Sequence, residues 1–323
     1  MTAAPLLEVR EVRVCYGPRR APVHAVDGVS FTLAAGESLG LVGESGCGKS
    51  TLGRALLRLE PLQNGRIVFA GVDISALRDS RLKSFRGQAQ MIFQDPHGAL
   101  NPRLSVGSML GEALAAHRRC RRAERAGRVA DLLRAVGLDP LYARRYPHEF
   151  SGGQRQRVGL ARALAVQPRL IVADEPVSAL DVSVQVQILN LLQDLQRDLN
   201  LALLFIAHDL AAVRYLCQRV LVMYLGRIVE SGPAAAVYAH PRHPYTAALL
   251  SAVPDVERGL QARRSGARRL VLPGDVPSPA ADIPGCPFHP RCPSAEARCR
   301  VASPALRAVE TDRCAACHFA ETL

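Results

Sequence analysis

A glycine-rich segment that ends in lysine, serine and threonine carries the clearest chemical signal in the sequence. Residues 43–51 read Gly-Glu-Ser-Gly-Cys-Gly-Lys-Ser-Thr, which fits the phosphate-loop pattern G-x-x-x-x-G-K-[ST]. We expect its backbone N–H groups to wrap phosphates at the start of a helix, where the helix dipole favours negative charge. Lys49 would reach the β- and γ-phosphates of a nucleotide, and Ser50 would ligate Mg²⁺. The predicted binding residues are Gly43, Glu44, Ser45, Gly46, Cys47, Gly48, Lys49, Ser50 and Thr51.

The choice of lysine at position 49 strengthens this prediction. Only two of the 41 basic residues are lysines, Lys49 and Lys83. A compact ammonium fits a phosphate loop where a planar guanidinium does not. In a chain that otherwise uses arginine, this lysine favours a phosphate loop over a chance glycine-rich turn.

Two adjacent carboxylates follow a short apolar run. Residues 170–173 read Leu-Ile-Val-Ala and lead directly into Asp174 and Glu175. The carboxyl end of a parallel strand is where an α/β sheet places its ligand. We expect Asp174 to hold Mg²⁺, directly or through water, and Glu175 to polarise the water that attacks the γ-phosphate. An Asp-Glu pair alone would suggest a helix cap, so the catalytic interpretation depends on the phosphate loop.

A second segment is also suited to anion binding. Ser151, Gly152, Gly153 and Gln154 open a predicted helix and would expose N–H donors to an anion. One chain would then contain two phosphate sites.

Hydrophobic patterning predicts an α/β architecture. Apolar runs alternate with helical patterns, and residues 184–195 carry an apolar stripe expected to pack against the sheet. Strand patterns disappear between Gln94 and Ser151, which indicates an inserted helical subdomain. No apolar run approaches the ~20 residues that cross a bilayer, and the first residues lack a secretory-signal pattern, so we expect a cytosolic chain. The predicted strands cover residues 7–14, 38–42, 89–93, 170–173, 203–207 and 220–224.

The net charge and the cysteine content indicate which classes of ligand the chain could bind. The formal net charge of +12 suggests polyanionic ligands, without choosing among nucleic acid, nucleotides and anionic membrane surfaces. Five of the nine cysteines lie between Cys286 and Cys317. In a cytosolic chain such a cluster indicates metal ligation before disulfides.

Taken together, these residues resemble the ATP-binding cassette (ABC) family. The resemblance covers about residues 6–232 and implies a P-loop NTPase core with a parallel sheet, plus an antiparallel β subdomain. It also implies an inserted helical signature subdomain at about residues 95–165. We expect a nucleotide-binding domain over residues 1–253 and a small Cys-rich C-terminal appendage over residues 254–323. The motifs, in the family's order, are the phosphate loop, Gln94, Ser151–Gln154, Asp174–Glu175, Ser178–Asp181 and His208.

The resemblance implies roles for further residues and a sandwich dimer. Ser151, Gly152, Gly153 and Gln154 of one subunit would contact the ATP held by the partner's loop, which accounts for the second phosphate site. Tyr16 would stack on adenine, and Asp181 would belong to the nucleotide site. Gln94 would complete the Mg²⁺ ligands Ser50 and Asp174. The catalytic set implied is Glu175, His208 and Gln94.

Finer similarity points to a subfamily. The segments 91–96, 100–103, 175–183 and 243–246 look like the ATPase subunits of bacterial dipeptide and oligopeptide importers, with nickel importers as close relatives. Segments 51–54 and 100–102 are more similar to the second of the two ATPases that such importers carry. The resemblance implies an ATPase that pairs with a second ABC ATPase, a heterodimer being favoured, and with two transmembrane permease subunits. A solute-binding protein outside the cytoplasm would act indirectly, and the chain would lie on the cytoplasmic face of the bacterial inner membrane.

The cysteine-rich tail also resembles that subfamily, some members of which bind a [4Fe-4S] cluster. The favoured ligands are Cys286, Cys292, Cys299 and Cys317, with Cys314 as an alternative. Four thiolates suit either that cluster or tetrahedral Zn²⁺, and the spacing does not separate the two. In a zinc site, His289 or His318 could replace a sulfur.

Two alternative functions stay open at this point. An ABC ATPase of DNA repair or chromosome maintenance would suit the positive charge and the Cys-rich tail. Those relatives carry long coiled coils or large insertions, whereas too few residues separate Gln94 from Gln154 for such an arm, and no heptad array is present. No nucleic-acid partner is therefore expected. Within transport, an importer for nickel or another small solute is the other alternative.

Overall fold

The structure, a computed structural model, describes residues 4–18, 22–252 and 274–322, apart from residues 275, 276, 279 and 282. The predicted domain boundary between residues 253 and 254 lies outside the described residues. The division into two domains therefore stays a prediction.

Twelve strands form two sheets in the described part of the chain, and all six predicted strands are among them. The strands are β1 Leu7–Tyr16, β2 Val23–Leu33, β3 Ser38–Val42, β4 Asn64–Phe69, β5 Val72–Asp73, β6 Ala89–Ile92, β7 Leu170–Asp174, β8 Ala202–Ala207, β9 Arg219–Tyr224, β10 Arg227–Pro233, β11 Arg307–Glu310 and β12 Arg313–Ala315. The smaller sheet has the order β2-β1-β4-β5, and the larger has the order β11-β12-β10-β9-β3-β8-β7-β6.

Helices cover the larger sheet and fill the chain between its strands. They are α1 Lys49–Leu56, α2 Asp79–Arg86, α3 Pro96–Ala99, α4 Val106–Ala116, α5 Arg125–Ala135, α6 Gly152–Leu164, α7 Val182–Asp198, α8 Leu210–Leu216, α9 Ala234–Ala239, α10 Pro244–Ala252 and α11 Ala297–Val301. None of the helices in the described ranges combines the length and the hydrophobicity that crossing a bilayer requires.

The centre of the larger sheet is parallel and fully buried. Strand β3 pairs in parallel with β8 and β9, and β7 pairs in parallel with β6 and β8. Every residue of β3, β7 and β8 is buried, as expected for parallel strands covered on both faces. Because parallel strands end at the same edge, the loops that follow β3 and β7 are neighbours. This arrangement brings the phosphate loop and Asp174 to one place.

The chain between β6 and β7 is helical, as the loss of strand patterns predicts. Helices α3 to α6 lie there, and Leu110, Leu133 and Val158 are buried in a core shared with α7. On α7, Ile188 and Leu192 of the predicted apolar stripe are buried in the same core. The smaller, antiparallel sheet packs instead with α1 and the other face of the larger sheet.

The C-terminal segment adds two strands to the larger sheet. Strand β12 pairs with β10 through Glu230↔Ala315, and β11 pairs with β12. Arg313 on β12 forms a 3.2 Å ion pair with Glu230, and both side chains are almost fully buried. Burial raises the pKa of Glu230, whereas hydrogen bonds from the Arg242 backbone N–H and the Arg313 guanidinium lower it. The segment predicted as an appendage is thus joined to the sheet by hydrogen bonds and by a buried charge pair.

A buried histidine lies between α10 and the C-terminal segment. His243 is 1% exposed, accepts a 3.1 Å hydrogen bond at Nδ1 from the Tyr245 backbone N–H, and packs 5.5 Å from the Phe288 ring. Burial lowers the pKa of His243 to about 3, so the ring is neutral in the folded chain at neutral pH.

We therefore predict that acid destabilises the fold through His243. The unfolded chain, with a His pKa of ~6.5, takes up this proton before the folded chain does, so the stabilisation is complete above that pH and is lost as the pH falls. The slope approaches about 1.4 kcal/mol per pH unit between the two pKa values. His243→Gln should flatten the decline in unfolding free energy between about pH 6.5 and 4.5, measured by urea denaturation. The matched change at exposed His148 should leave the slope unaltered, and equal slopes in wild type and His243→Gln would refute the assignment.

Candidate active site

The loop after β3 follows a backbone path that only glycine permits at two points. Gly43 and Gly48 have φ values of 156° and 105°. A Cβ at Gly43 would lie 2.2 Å from the Met223 carbonyl oxygen, and one at Gly48 would lie 1.9 Å from the Ala25 carbonyl oxygen. Gly48 is also the N-cap of α1, so the loop opens directly into the positive end of that helix. This backbone geometry fits an anion cradle, and the phosphate-binding role of residues 43–51 stays a prediction.

The Lys49 ammonium lies inside this loop. Its Nζ donates to the Gly43 carbonyl oxygen at 2.8 Å and to the Glu44 carbonyl oxygen at 2.9 Å. Lys49 is only 4% exposed. A buried positive charge that is held by neutral carbonyls can gain strongly from an incoming phosphate oxygen.

Asp174 and Ser50 meet across the loop. The Ser50 hydroxyl donates to Asp174 Oδ1 at 2.8 Å, and Asp174 is 1% exposed. Burial raises the pKa of Asp174, while the Ser50 hydrogen bond and the Arg54 charge lower it. Hydroxyl and carboxylate oxygens in one place are the donors that Mg²⁺ prefers, so these residues fit the predicted cation.

Glu175 joins the other two predicted catalytic residues. Gln94 Nε2 donates to Glu175 Oε2 at 3.0 Å, and His208 Nδ1 lies 3.2 Å from the same oxygen. The Glu175 side chain is 11% exposed and that of His208 is 54% exposed. The Glu175 backbone N–H donates to the Ile206 carbonyl oxygen at 2.9 Å, which fixes Glu175 beside the carboxyl end of β8.

Several of the predicted site residues line a cavity of about 380 Å³. Lys49, Ser50, Gln94 and Glu175 line it, together with other residues of the phosphate loop and with Val23 and Ala25 of β2. Tyr16 is paired with Val23 and is 39% exposed at the end of β1. The residue predicted to stack on adenine is therefore the strand partner of a residue that lines the cavity.

The residues of the second predicted phosphate site form a helix start elsewhere. Ser151 caps α6: its Oγ accepts from the Gln154 N–H at 3.3 Å, and its N–H donates to Gln154 Oε1 at 3.0 Å. A Cβ on Gly153 would lie 2.4 Å from Val184 Cγ1, so α6 and α7 are in close contact there. Among the described residues, Ser151–Gln154 are not part of the wall of the 380 Å³ cavity. Asp181 is the exposed N-cap of α7.

Two residues that contact the phosphate loop were not predicted as site residues. The Tyr245 hydroxyl accepts a 2.8 Å hydrogen bond from the Glu44 N–H. Arg291 donates to both carboxylate oxygens of Glu44, at 2.8 and 3.1 Å. Both lie in segments that the resemblance had singled out, 243–246 and the start of the Cys-rich tail. That membership was the available signal, but nothing in the sequence pointed to Glu44 as their common partner.

The four favoured cysteine ligands lie within electrostatic range of one another. The pKa of Cys292 is raised to about 11, mainly by burial and in smaller part by the nearby thiols of Cys317, Cys286 and Cys299, while the Ser294 N–H lowers it. All four sulfurs are free thiols. Cys314 lies on β12, opposite Ser231 and Ala308.

The expected metal at these cysteines is not supported by the geometry. A set of four soft thiols fits an iron–sulfur cluster or Zn²⁺ by its chemistry. Yet in the described ranges no group of three or more His, Cys, Asp or Glu side chains is arranged as a metal site. His289 Nδ1 and His318 Nε2 instead lie 3.0 Å from the backbone oxygens of Cys286 and Ala302.

Comparison with known protein families adds independent information. A family model described as "ABC transporter" matches residues 26–178. A second, described as "Oligopeptide/dipeptide transporter, C-terminal region", matches residues 229–299. The first range contains the phosphate loop, Gln94, the Ser151 helix start and Asp174–Glu175. The second contains Tyr245 and Arg291.

Solved structures with the same architecture include two cassettes. The dimeric post-hydrolysis structure of the ATP-binding cassette MJ0796 bound to ADP and Pi is similar with a TM-score of 0.65 and 26% identity, over 71% of this chain and 98% of that one. The structure of cbiO1 from Clostridium perfringens, part of the ABC transporter complex cbiONQ, has a TM-score of 0.65 and 28% identity, over 73% and 91% of the two chains.

Curated relatives match over nearly the whole chain. The oligopeptide transport ATP-binding protein AppF of Bacillus subtilis is 49% identical over 331 residues, covering 99% of both chains. The probable peptide ABC transporter ATP-binding protein y4tS of Sinorhizobium fredii is 53% identical over 300 residues, covering 92% of this chain and 82% of that protein. From the site geometry and from this similarity, we conclude that the chain belongs to the ABC transporter family as an ATPase with the C-terminal region of its oligopeptide/dipeptide branch.

Proposed function

We propose that this chain is the ATP-hydrolysing subunit of a membrane importer of dipeptides and oligopeptides. The observation that carries the ATPase assignment is the cavity that Lys49, Ser50 and Glu175 line, with Asp174 hydrogen-bonded to Ser50 behind its wall. The peptide assignment is supported by relatives that are named as peptide and oligopeptide transport ATP-binding proteins. The DNA-repair alternative has no such support.

The residues divide the chemistry of ATP hydrolysis among them. Backbone N–H groups of the phosphate loop and the Lys49 ammonium would bind the phosphates, with Tyr16 against the adenine. Ser50, Asp174 and Gln94 would hold Mg²⁺, which neutralises phosphate charge when bound. Glu175 would orient the attacking water and take up its proton. His208 would bind the γ-phosphate beside it.

A sandwich dimer accounts for the separate position of the Ser151 helix start. In this proposal, Ser151, Gly152, Gly153 and Gln154 of one subunit complete the site of the other. Exposed apolar residues on the neighbouring helix support it, because Val182 and Val186 of α7 are 75% and 49% exposed. Asp181 caps the same helix and would face the seam. The partner we favour is a second, related ATPase.

A groove beside Gln94 offers a contact for the permease subunits. A cavity of about 550 Å³ is lined by the segment 98–102, by Leu104 and by α4 residues including Met109 and Glu112. The Arg162 side chain, partly buried there, donates to the Ala99 carbonyl oxygen. Since Gln94 reaches Glu175, movement at this groove would be transmitted to the catalytic carboxylate. Two permease subunits would place the chain on the cytoplasmic face of the cell membrane. The permeases and the solute-binding protein are other chains, and they would decide whether the cargo is a peptide, nickel or another solute.

We further propose that Cys286, Cys292, Cys299 and Cys317 hold a [4Fe-4S] cluster, with Zn²⁺ as the alternative. The support is the chemistry of the donor set, four thiols of one segment within electrostatic range of one another, and not their arrangement, since the described side chains form no metal site. The metal would fasten the C-terminal segment, which also packs onto the nucleotide site.

Glu175→Gln should separate ATP binding from hydrolysis. The variant keeps the size of the side chain but cannot accept the proton of water, so hydrolysis should fall by about 10² to 10⁴-fold while ATP affinity is retained. Phosphate release and calorimetric ATP titration measure the two quantities. Glu60→Gln, in the bend after α1, is the matched control with unchanged activity. Hydrolysis at the wild-type rate in Glu175→Gln would remove Glu175 from its role.

Anaerobically purified protein should be coloured and should contain about four iron atoms per chain, as the cluster formula requires. Cys292→Ser should lower both iron content and visible absorption, because it removes one of the four thiols. Cys120→Ser, outside the tail, should change neither. Colourless protein loaded with zinc would replace the cluster by the alternative, and protein without either metal would contradict both.

A further inference from the structure

The phosphate loop contains an acidic side chain, and the C-terminal segment neutralises it. Glu44 is the second residue of the loop, and its carboxylate would lie near the triphosphate that the loop binds. Arg291 engages both Glu44 oxygens, at 2.8 and 3.1 Å, in the bidentate geometry that fixes a carboxylate most firmly. The Arg291 side chain is 7% exposed and that of Glu44 is 26% exposed. This ion pair is therefore less screened by water than a surface pair.

A second contact fixes the backbone of the same residue. The Glu44 N–H donates to the Tyr245 hydroxyl at 2.8 Å. Tyr245 is fully buried, with its ring 4.7 Å from that of Tyr224 and 5.5 Å from that of Phe288. The Phe288 carbonyl oxygen accepts a 3.0 Å hydrogen bond from the Arg291 backbone N–H. The Tyr245 and Arg291 contacts with Glu44 therefore belong to one packed unit.

The charges decide what this arrangement does. A carboxylate in a loop that binds a polyanion opposes binding, and the opposition is larger where water is partly excluded. Arg291 cancels that charge. Because its guanidinium binds both carboxylate oxygens, the Glu44 side chain faces the C-terminal segment rather than the cavity. The partners are 247 positions apart in the sequence, so this contact exists only when the C-terminal segment is in place.

We propose that Arg291 of the C-terminal segment and Tyr245 of α10, which pack together, are positioning residues for nucleotide binding: Arg291 neutralises Glu44 in the phosphate loop, and both residues orient it. This inference rests on the proposed ATPase function. Neither residue needs to touch ATP: each acts through Glu44. A C-terminal segment that is folded onto the loop would thus be a condition for tight ATP binding.

The test is a charge-reversal cycle on the full chain, with the Kd for MgATP measured by calorimetry. Arg291→Gln should weaken binding about five- to twentyfold, because it leaves Glu44 unpaired beside the phosphates. Glu44→Gln should tighten binding about two- to fivefold, since it leaves Arg291 positive. The double variant should return close to the wild-type Kd. Added salt should shrink the Arg291→Gln defect.

Arg300→Gln removes the same charge from an exposed position in the same segment and should leave the Kd unchanged. Thermal unfolding identifies any variant that fails to fold. If Arg291 were only a structural brace, Glu44→Gln would weaken binding as much as Arg291→Gln and the double variant would not recover, which would overturn the inference. Equal binding by wild type and Arg291→Gln would also overturn it, whereas a wild-type chain that does not bind MgATP would refute the proposed function itself.

Discussion

The close contact between the phosphate loop and its surrounding backbone is the constraint on which the site depends. Gly43 and Gly48 press against the carbonyl oxygens of Met223 and Ala25, and no side chain could be added at either glycine without moving one of the two sheets. The backbone path of the loop is therefore constrained by both sheets. Lys49 is enclosed by the loop, so its positive charge lies beside backbone N–H groups that suit a phosphate.

The remaining groups are held at the site by elements far apart in the chain. The parallel order of the sheet sets β7 near β3, which brings Asp174 to Ser50 and Glu175 to the same cavity. The C-terminal segment then reaches back to Glu44 through Arg291. A buried ion pair on β12 and the β10–β12 pairing hold that segment against the larger sheet. Catalytic core and C-terminal segment therefore depend on each other's packing.

The parallel strands and the phosphate loop could be predicted from local sequence, whereas the half-exposed strands and the long-range contacts could not. The parallel strands are continuous apolar runs, and the loop motif is contiguous, so both are visible in a short window. Strands β2 and β4 are half exposed and carry a weaker pattern, while β12 is three residues long and exists through its pairing with β10. The contacts of Glu44 with Tyr245 and Arg291 join residues 201 and 247 positions apart, which no local pattern encodes.

The central claim is that ATP is held by the enclosed ammonium of Lys49, and the other lysine of the chain provides the direct comparison. Lys83 lies exposed on α2, so Lys49→Ala and Lys83→Ala remove the same group from the enclosed and the exposed position. In calorimetric titration with MgATP, Lys49→Ala should lose at least about tenfold in affinity, because a buried charge-assisted contact is removed, and Lys83→Ala should bind as wild type does. Wild-type affinity in Lys49→Ala would contradict the account.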